Sequence, residues 1–326
     1  MTPVRMAVLG TSAIAQRRTI PAIVATDSAV LVAIASRDFD SALRCADAFG
    51  VEPHVGYDAV LLRDDIDAVY VPLPNSLHHL WIRAALESGK HVLAEKPMTT
   101  TAADTADLVD LAAARGLVLQ ENFAFLHHGQ HRAIRDMVDA GRLGTVRNFR
   151  SEFCFPPLAP TDVRYDPQLG GGALLDVGVY TVRSAQYFLG NALTVVGAAL
   201  DIDPETGVDV GGSALLTSED GVMAQLTFGF QHTYGSRYSL WGSRARLDLD
   251  TAFTPPSTHR PRIRIEEQDH VEESVLSAEN QFENSVATFV AAIERRAPRL
   301  PTTDSIATAA LVEQIAHAAR RSVTVG

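Results

Sequence analysis

Met6-Ala7-Val8-Leu9-Gly10-Thr11-Ser12-Ala13-Ile14-Ala15 is an apolar run that stops at a glycine and continues into small residues. A run of this length and composition reads as a buried strand, and the glycine as a tight turn into a helix. The pattern is a degenerate dinucleotide-binding fingerprint, with Gly10 kept, Ser12 at the second glycine position and Ala15 at the third. Gly10 permits the turn, a small residue at 12 lets the backbone approach a pyrophosphate, and Ala15 lets the helix pack closely on the strand. Ordinary strand–turn–helix junctions share this pattern, so the second strand and its end have to decide its meaning.

A second apolar run, Val30 to Ala35, ends at Ser36-Arg37. The fingerprint carries an acid for the ribose hydroxyls at about 20 residues past the glycines. Here a hydroxyl and a guanidinium stand there instead, a pair suited to a 2′-phosphate, so NADP(H) is expected over NAD(H). Asp38 would take the acidic role if the loop ran one step longer. Arg17 and Arg18 face either cofactor phosphates, an anionic substrate or solvent.

The alternation continues with helices over 39–49, 77–88 and 101–115 and strands over 68–71, 91–94 and 117–120. Strands alternating with helices imply a doubly wound parallel sheet. The third main strand runs into Pro72-Leu73-Pro74, so Leu73 and His78 would border a nicotinamide; a lone His78 would otherwise sit on a helix surface. The next strand ends abruptly at Glu95-Lys96-Pro97. Strand carboxyl ends border the ligand crevice in such sheets, which points Lys96 into a site. Of 28 basic residues only Lys90 and Lys96 are lysines. Arginine stays protonated at any working pH, whereas a desolvated lysine can give up its proton. The plainer reading of Lys96 is a surface residue closing a strand.

Composition bounds the rest. A chain of 326 residues suggests two domains, taken here as 1–122 and 123–326. The formal net charge of −11 argues against nucleic acid or an anionic membrane as partner. No stretch reads as a signal peptide or a membrane span, and Cys45 and Cys154 read as free thiols in a reducing cytoplasm. His127 and His131 lie one helical turn apart, but no third ligand with suitable spacing accompanies them, so no metal is expected.

After 122 the pattern changes. Glu121 and Asn122 are placed at the pocket edge. A strand over 146–155 precedes a proline- and glycine-rich segment holding Arg164 and Tyr165. Gly170-Gly171-Gly172 then opens an amphipathic helix to about Leu189. Asp176 and Tyr180, four apart, share a face of it and suit proton transfer or hydroxyl recognition; alternatively Tyr180 is core and Asp176 a satisfied buried acid. Six further strand-like runs between 194 and 267 favour a large, mostly antiparallel sheet, followed by helices over 281–295 and 304–320. One face of that sheet is left to be covered, which makes a homo-oligomer through the open sheet the expectation.

The glycine turn at Gly10, the Glu95-Lys96-Pro97 strand end and the glycine-led helix with Asp176 resemble the glucose–fructose oxidoreductase and inositol dehydrogenase family over nearly the whole chain. A closer resemblance is to the NDP-hexose 3-ketoreductases of antibiotic deoxysugar pathways. It is carried by Ala35-Ser36-Arg37, Tyr70-Val71-Pro72-Leu73-Pro74, Glu121-Asn122-Phe123, Phe125-Leu126-His127-His128, Gly172-Ala173-Leu174-Leu175-Asp176, Phe253-Thr254-Pro255-Pro256 and Gln268-Asp269-His270. The resemblance implies NADPH-dependent reduction of the C-3 ketone of a dTDP-linked 3,4-diketo-2,6-dideoxy sugar. Lys96 would then be the acid at the ketone oxygen or its near partner, and Tyr180 the second proton donor. Most of the wider family carries histidine at the position of Tyr180, which leaves open which of the two delivers the proton. Asp176 would bind sugar hydroxyls or orient Lys96, and Arg164, Tyr234 and Thr254 would touch substrate. Gly10, Ser12, Ala13, Ile14, Ala15, Arg17, Arg18, Ser36, Arg37, Tyr57, Leu73, His78, Glu95 and Lys96 would surround the cofactor. Two other readings compete: a dehydrogenase of a free polyol, inositol or trans-dihydrodiol, and a non-catalytic NADP-sensing regulator.

Overall fold

Tyr70 and its neighbours in Ala68–Val71 are buried on both faces, as strands of a sheet covered on two sides must be. The structure, a computed structural model, describes residues 2–295 and 302–323. In its first unit the strands are β1 (Val4–Leu9), β2 (Ala29–Ser36), β3 (Glu52–Val55), β4 (Ala68–Val71), β5 (His91–Ala94) and β6 (Leu119–Glu121). They form a six-stranded sheet in the order β3-β2-β1-β4-β5-β6, every neighbouring pair parallel. The strand order reverses between β1 and β4, where such sheets open a ligand crevice.

Alternate residues of each strand enter separate cores. Met6, Val8, Tyr70 and Leu93 join one, and Ala7, Leu9, Val71 and Ala94 the other. The second core is closed by residues of helices 78–87 and 102–114. The first is closed partly from far along the chain, by Phe282, Val286, Phe289 and Val290 of helix Gln281–Ile293. The first unit therefore comprises the chain up to Ala124 together with Phe282–Ile306. The expected cut after 122 lies close to the first break but does not anticipate this return. Edge strand β3, in Glu-Pro-His-Val, was likewise not expected; its alternation is too weak to announce it.

The second unit comprises Phe125–Gln281 and the chain from Ala307. Its strands are β7 (Val146–Cys154), β8 (Leu193–Ile202), β9 (Asp209–Ser218), β10 (Met223–Gly229), β11 (Gly235–Gly242), β12 (Arg246–Asp250), β13 (Arg262–Glu266), β14 (Val271–Val275) and β15 (Ala319–Val323). They build a nine-stranded sheet in the order β14-β13-β12-β11-β7-β10-β9-β8-β15. Only the pairs β7–β10 and β8–β15 are parallel. Residues 319 and 320, expected at the end of the last helix, begin an edge strand instead.

The uneven alternation of β7 now has a cause. Phe149, Ser151 and Phe153 all point inward, and the polar Ser151 is satisfied by the Ser184 hydroxyl of helix Val179–Leu189 at 3.1 Å. Asn148, Arg150 and Glu152 point the other way, onto a face that holds a shallow concavity of about 930 Å³. That face carries ion pairs of Arg150 and Arg237 with Glu152 and of Arg262 with Glu273, beside a 58% exposed Trp241.

Candidate active site

In the first unit the site begins at the β1 turn. Gly10 adopts φ +125°, and a Cβ there would press on Leu73 Cδ2. Only glycine fits both demands. Ser12 Oγ accepts the Ala15 N–H at 3.4 Å, and Ala15 is buried at the start of a π-helical turn, Ala15–Thr19. Ala13 and Ile14 stand exposed at the helix start, where free backbone N–H groups suit an anion. Arg17 and Arg18 are also exposed.

At the end of β2, Ser36 is buried and Arg37 exposed. Asp38 accepts the Ser41 N–H at 2.8 Å as the N-cap of helix Phe39–Phe49. Its carboxylate is thereby committed to the helix, which favours the phosphate reading of Ser36-Arg37 over a ribose-binding acid. Burial raises the phenol pKa of Tyr57, opposed by the Arg37 charge, and Tyr57 meets Trp81 edge-on at 4.7 Å. The cradle thus fits a dinucleotide with a 2′-phosphate.

The Lys96 turn is held from three sides. Lys96–Pro97 is a cis peptide, and Lys96 itself is half-buried. Glu95 Oε2 accepts the Lys96 N–H at 3.3 Å, and Glu121 Oε1 accepts the Met98 N–H at 2.7 Å. The His78 ring lies 2.7 Å from the Pro97 carbonyl and 2.8 Å from that of Leu73. Burial lowers the pKa of His78, opposed by these two carbonyls, which can each only accept a hydrogen bond from the ring.

Three residues lie deeper than their polar character suggests. His78, expected to border the nicotinamide or sit on a helix surface, is fully buried and its ring bridges the Pro97 and Leu73 carbonyls. The Glu95 carboxylate turns inward, accepting from Tyr70 Oη at 2.7 Å and Asn122 Nδ2 at 2.8 Å. Burial raises its pKa against these donors and the Lys96 charge. Asn122 is 2% exposed and belongs to the interior, not to a pocket edge. Local sequence could not reveal this, because each residue is of a type that normally faces water.

In the second unit, Asp176 and Tyr180 are both half-buried, as one helical face requires. The helix opens with a π-helical turn, Leu174–Gly178, that i,i+4 spacing alone does not show. Tyr180 packs against the rings of Phe125, Phe153 and Phe253, with centroids 5.8, 5.1 and 5.6 Å away. Arg164 Nε donates to Asp176 Oδ2 at 2.6 Å and Nη1 pairs with Asp162 at 3.2 Å, which raises the guanidinium pKa further. Arg164 is therefore engaged with carboxylates, chiefly as the partner of Asp176. Tyr234, 55% exposed, has its hydroxyl 3.0 Å from Thr254 Oγ1.

The glycine run has a steric reason. A Cβ on Gly171 would collide with the Arg164 carbonyl, and one on Gly172 with the Asp209 carboxylate. Asp209, at the start of β9, accepts the Leu174 N–H at 2.6 Å and so anchors the helix that carries Asp176 and Tyr180. Sequence reasoning missed Asp209, since nothing near it in the chain marks the contact.

His131 is a core residue, its ring 2.9 Å from Tyr238 Oη and 3.0 Å from the Ala252 carbonyl, with burial pulling its pKa down to about 3. Among the described residues no group of three His, Cys, Asp or Glu is placed to hold a metal. Cys45 and Cys154 are both free and buried. No helix among the described residues is long and apolar enough to cross a membrane.

Comparison with known proteins agrees with this geometry. Residues 4–123 match the oxidoreductase family with an NAD-binding Rossmann fold, and residues 131–248 match the GFO/IDH/MocA C-terminal domain. The chain is 49% identical over 319 residues to dTDP-3,4-didehydro-2,6-dideoxy-alpha-D-glucose 3-reductase of Actinomadura kijaniata, covering 98% of this chain and 96% of the relative. It is 52% identical over 287 residues to the enzyme of the same name from Saccharopolyspora spinosa, covering 88% of this chain and 86% of the relative. The crystal structure of a 3-ketoreductase from Actinomadura kijaniata in complex with NADP and TDP-benzene superposes with a TM-score of 0.97 at 48% identity, covering 99% of this chain and 100% of that one.

Proposed function

Since the chain belongs to the GFO/IDH/MocA oxidoreductase family, we propose that it reduces the C-3 ketone of a dTDP-3,4-diketo-2,6-dideoxyhexose with NADPH, a step of deoxysugar biosynthesis. The observation that carries this reading is near-full-length identity of 49% to a reductase of that substrate.

NADPH, when bound, supplies the hydride. The turn at Gly10–Ala15 would receive its pyrophosphate, and Ser36 with Arg37 its 2′-phosphate. Lys96 would face the ketone oxygen, where an ammonium stabilises negative charge as it develops. Either Lys96 or Tyr180 supplies the proton. Tyr180, seated on three aromatic rings, presents a hydroxyl with little freedom to turn away. Asp176, fixed by Arg164, would accept from a sugar hydroxyl, and Tyr234 and Thr254 would touch the nucleotide sugar further out.

We also assign a homo-oligomer to this protein, formed through the open face of the nine-stranded sheet. Its support is the alternation of arginines with acids and an exposed Trp241, a pattern a second copy can complement. Two buried free thiols agree with a cytoplasmic setting.

NADPH oxidation with freshly generated dTDP-ketosugars, run beside NADH and beside free polyols, tests the function. The expected result is turnover of the dTDP-diketosugar with NADPH. Turnover of free polyols alone would replace this reading with that of a polyol dehydrogenase. Lys96→Ala, folded and still binding NADPH, should lose at least about a hundredfold in kcat; a wild-type rate would remove Lys96 from the mechanism.

A further inference from the structure

Lys96 lies at one end of a buried chain of hydrogen bonds whose other end is on helix Gln281–Ile293. Ser285 Oγ donates to Asn122 Oδ1 at 2.7 Å and accepts from Gln120 Nε2 at 3.1 Å. Asn122 Nδ2 donates to Glu95 Oε1 at 2.8 Å, beside the Tyr70 hydroxyl at 2.7 Å. Glu95 Oε2 takes the backbone N–H of Lys96. Ser285 is fully buried, and Gln120, Asn122 and Glu95 are nearly so.

We propose that Ser285 and Asn122 are positioning residues for Lys96, acting through the Glu95 carboxylate. The inference rests on the reading of Lys96 given above. A carboxylate only accepts, so it must be met by donors. The amide of Asn122 can face Glu95 with either end, and only its Nδ2 end is useful. Ser285 decides which: by giving its proton to Oδ1 it turns Nδ2 toward Glu95. Without that hydroxyl the amide can reverse, setting Oδ1 against Glu95 Oε1, acceptor against acceptor. Glu95 would then shift toward other donors and carry the Lys96 peptide with it. The chain is expensive to bury among the apolar residues of the first core, where an apolar set of equal volume would serve packing alone. Its placement beside the Lys96 turn gives it a use that packing does not. Ser285 and Asn122 are 163 residues apart, so the helix that returns to the first unit brings a determinant of the site with it.

Ser285→Ala tests this. The expected result is a kcat on the ketosugar lower by about tenfold, the worth of one buried hydrogen bond. The KM for the sugar and the Kd for NADPH should stay within about twofold of wild type. Adding Ser285→Ala to Lys96→Ala, with residual rates read by single-turnover NADPH oxidation, should cause no further loss, because the effect is transmitted through a side chain already removed. A merely structural Ser285 would instead weaken NADPH binding or slow both backgrounds equally, and either result overturns the proposal, as does an unchanged kcat. A wild-type rate for Lys96→Ala alone would overturn the reading of Lys96 instead. If Ser285→Ala does not fold, Ser285→Cys, with a weaker donor of similar size, is measured in the same way.

Discussion

Replacing Asp209 by alanine should loosen the helix that carries Asp176 and Tyr180, and the loss can be bounded from the contact itself. Asp209 Oδ2 accepts the Leu174 N–H at 2.6 Å, and the Ala173 N–H also contributes to holding the carboxylate ionised. A hydrogen bond to a charged group is worth about 1.5–3 kcal/mol, and loss of a helix cap about 0.5–2 kcal/mol. Against this, burial raises the pKa of Asp209. The native state therefore binds a proton more readily than the unfolded chain, so this group's contribution to stability falls as pH rises through the window between the two pKa values. Near neutral pH the charge is thus a partial burden, while the acceptor atom is an asset. Asp209→Ala removes both and should cost about 2 kcal/mol, a drop of about 4–8 °C in Tm. Asp209→Asn keeps an acceptor of the same size and should cost less than about 1 kcal/mol. Thermal denaturation of the two variants beside wild type reads this, with kcat on the ketosugar falling more for alanine and NADPH affinity as the control. A loss below about 0.5 kcal/mol for Asp209→Ala would refute the reasoning, as would equal losses for both variants.

Arg37→Ala should weaken NADPH binding by about tenfold to a hundredfold and leave NADH almost untouched, if the guanidinium binds the 2′-phosphate as proposed, a group NADH lacks. Fluorescence titration with both nucleotides measures this, and equal losses would return the cofactor choice to Asp38. His131 predicts acid sensitivity: its folded pKa, about 3, lies below the unfolded value of 6.5. The unfolded chain then takes up the proton first, so stability is whole above about pH 6.5 and lost as pH falls toward about pH 3, by about 2 kcal/mol at about pH 5. His127, pulled to about 4 by burial, adds in the same direction. Urea denaturation across that range should show the fall, and a flat profile would refute it.

The parallel half of the fold was legible because covered strands must be apolar throughout. Residues 68–71 and 91–94 announce themselves, and the glycine at position 10 fixes where the first turn must lie. The antiparallel sheet was legible more coarsely, through short runs and turns, and its edge strands β14 and β15 escaped because exposed edges carry no apolar signal. Of the candidate residues, Lys96 follows the fifth strand, and one helix with its opening turn carries Asp176 and Tyr180. The burial of His78, Glu95 and Asn122 was not legible, since sequence gives a residue's chemistry but not whether its neighbours close over it. Each is buried with partners from other strands or loops: His78 with Pro97, and Glu95 with Tyr70 and Asn122.

The chain by itself determined the sense of both sheets, the glycine turn after the first strand, an arginine after the second and a lysine after the fifth. Those come from periodicity, glycine geometry and charge, all local quantities. Only the tertiary structure decided that helix Gln281–Ile293 returns to close the first core, that Ser285 reaches Asn122, and that Asp209 anchors a helix to which nothing in its own segment connects it. An apolar or polar face encodes the need for a partner, but which distant segment meets that need is settled when the chain packs.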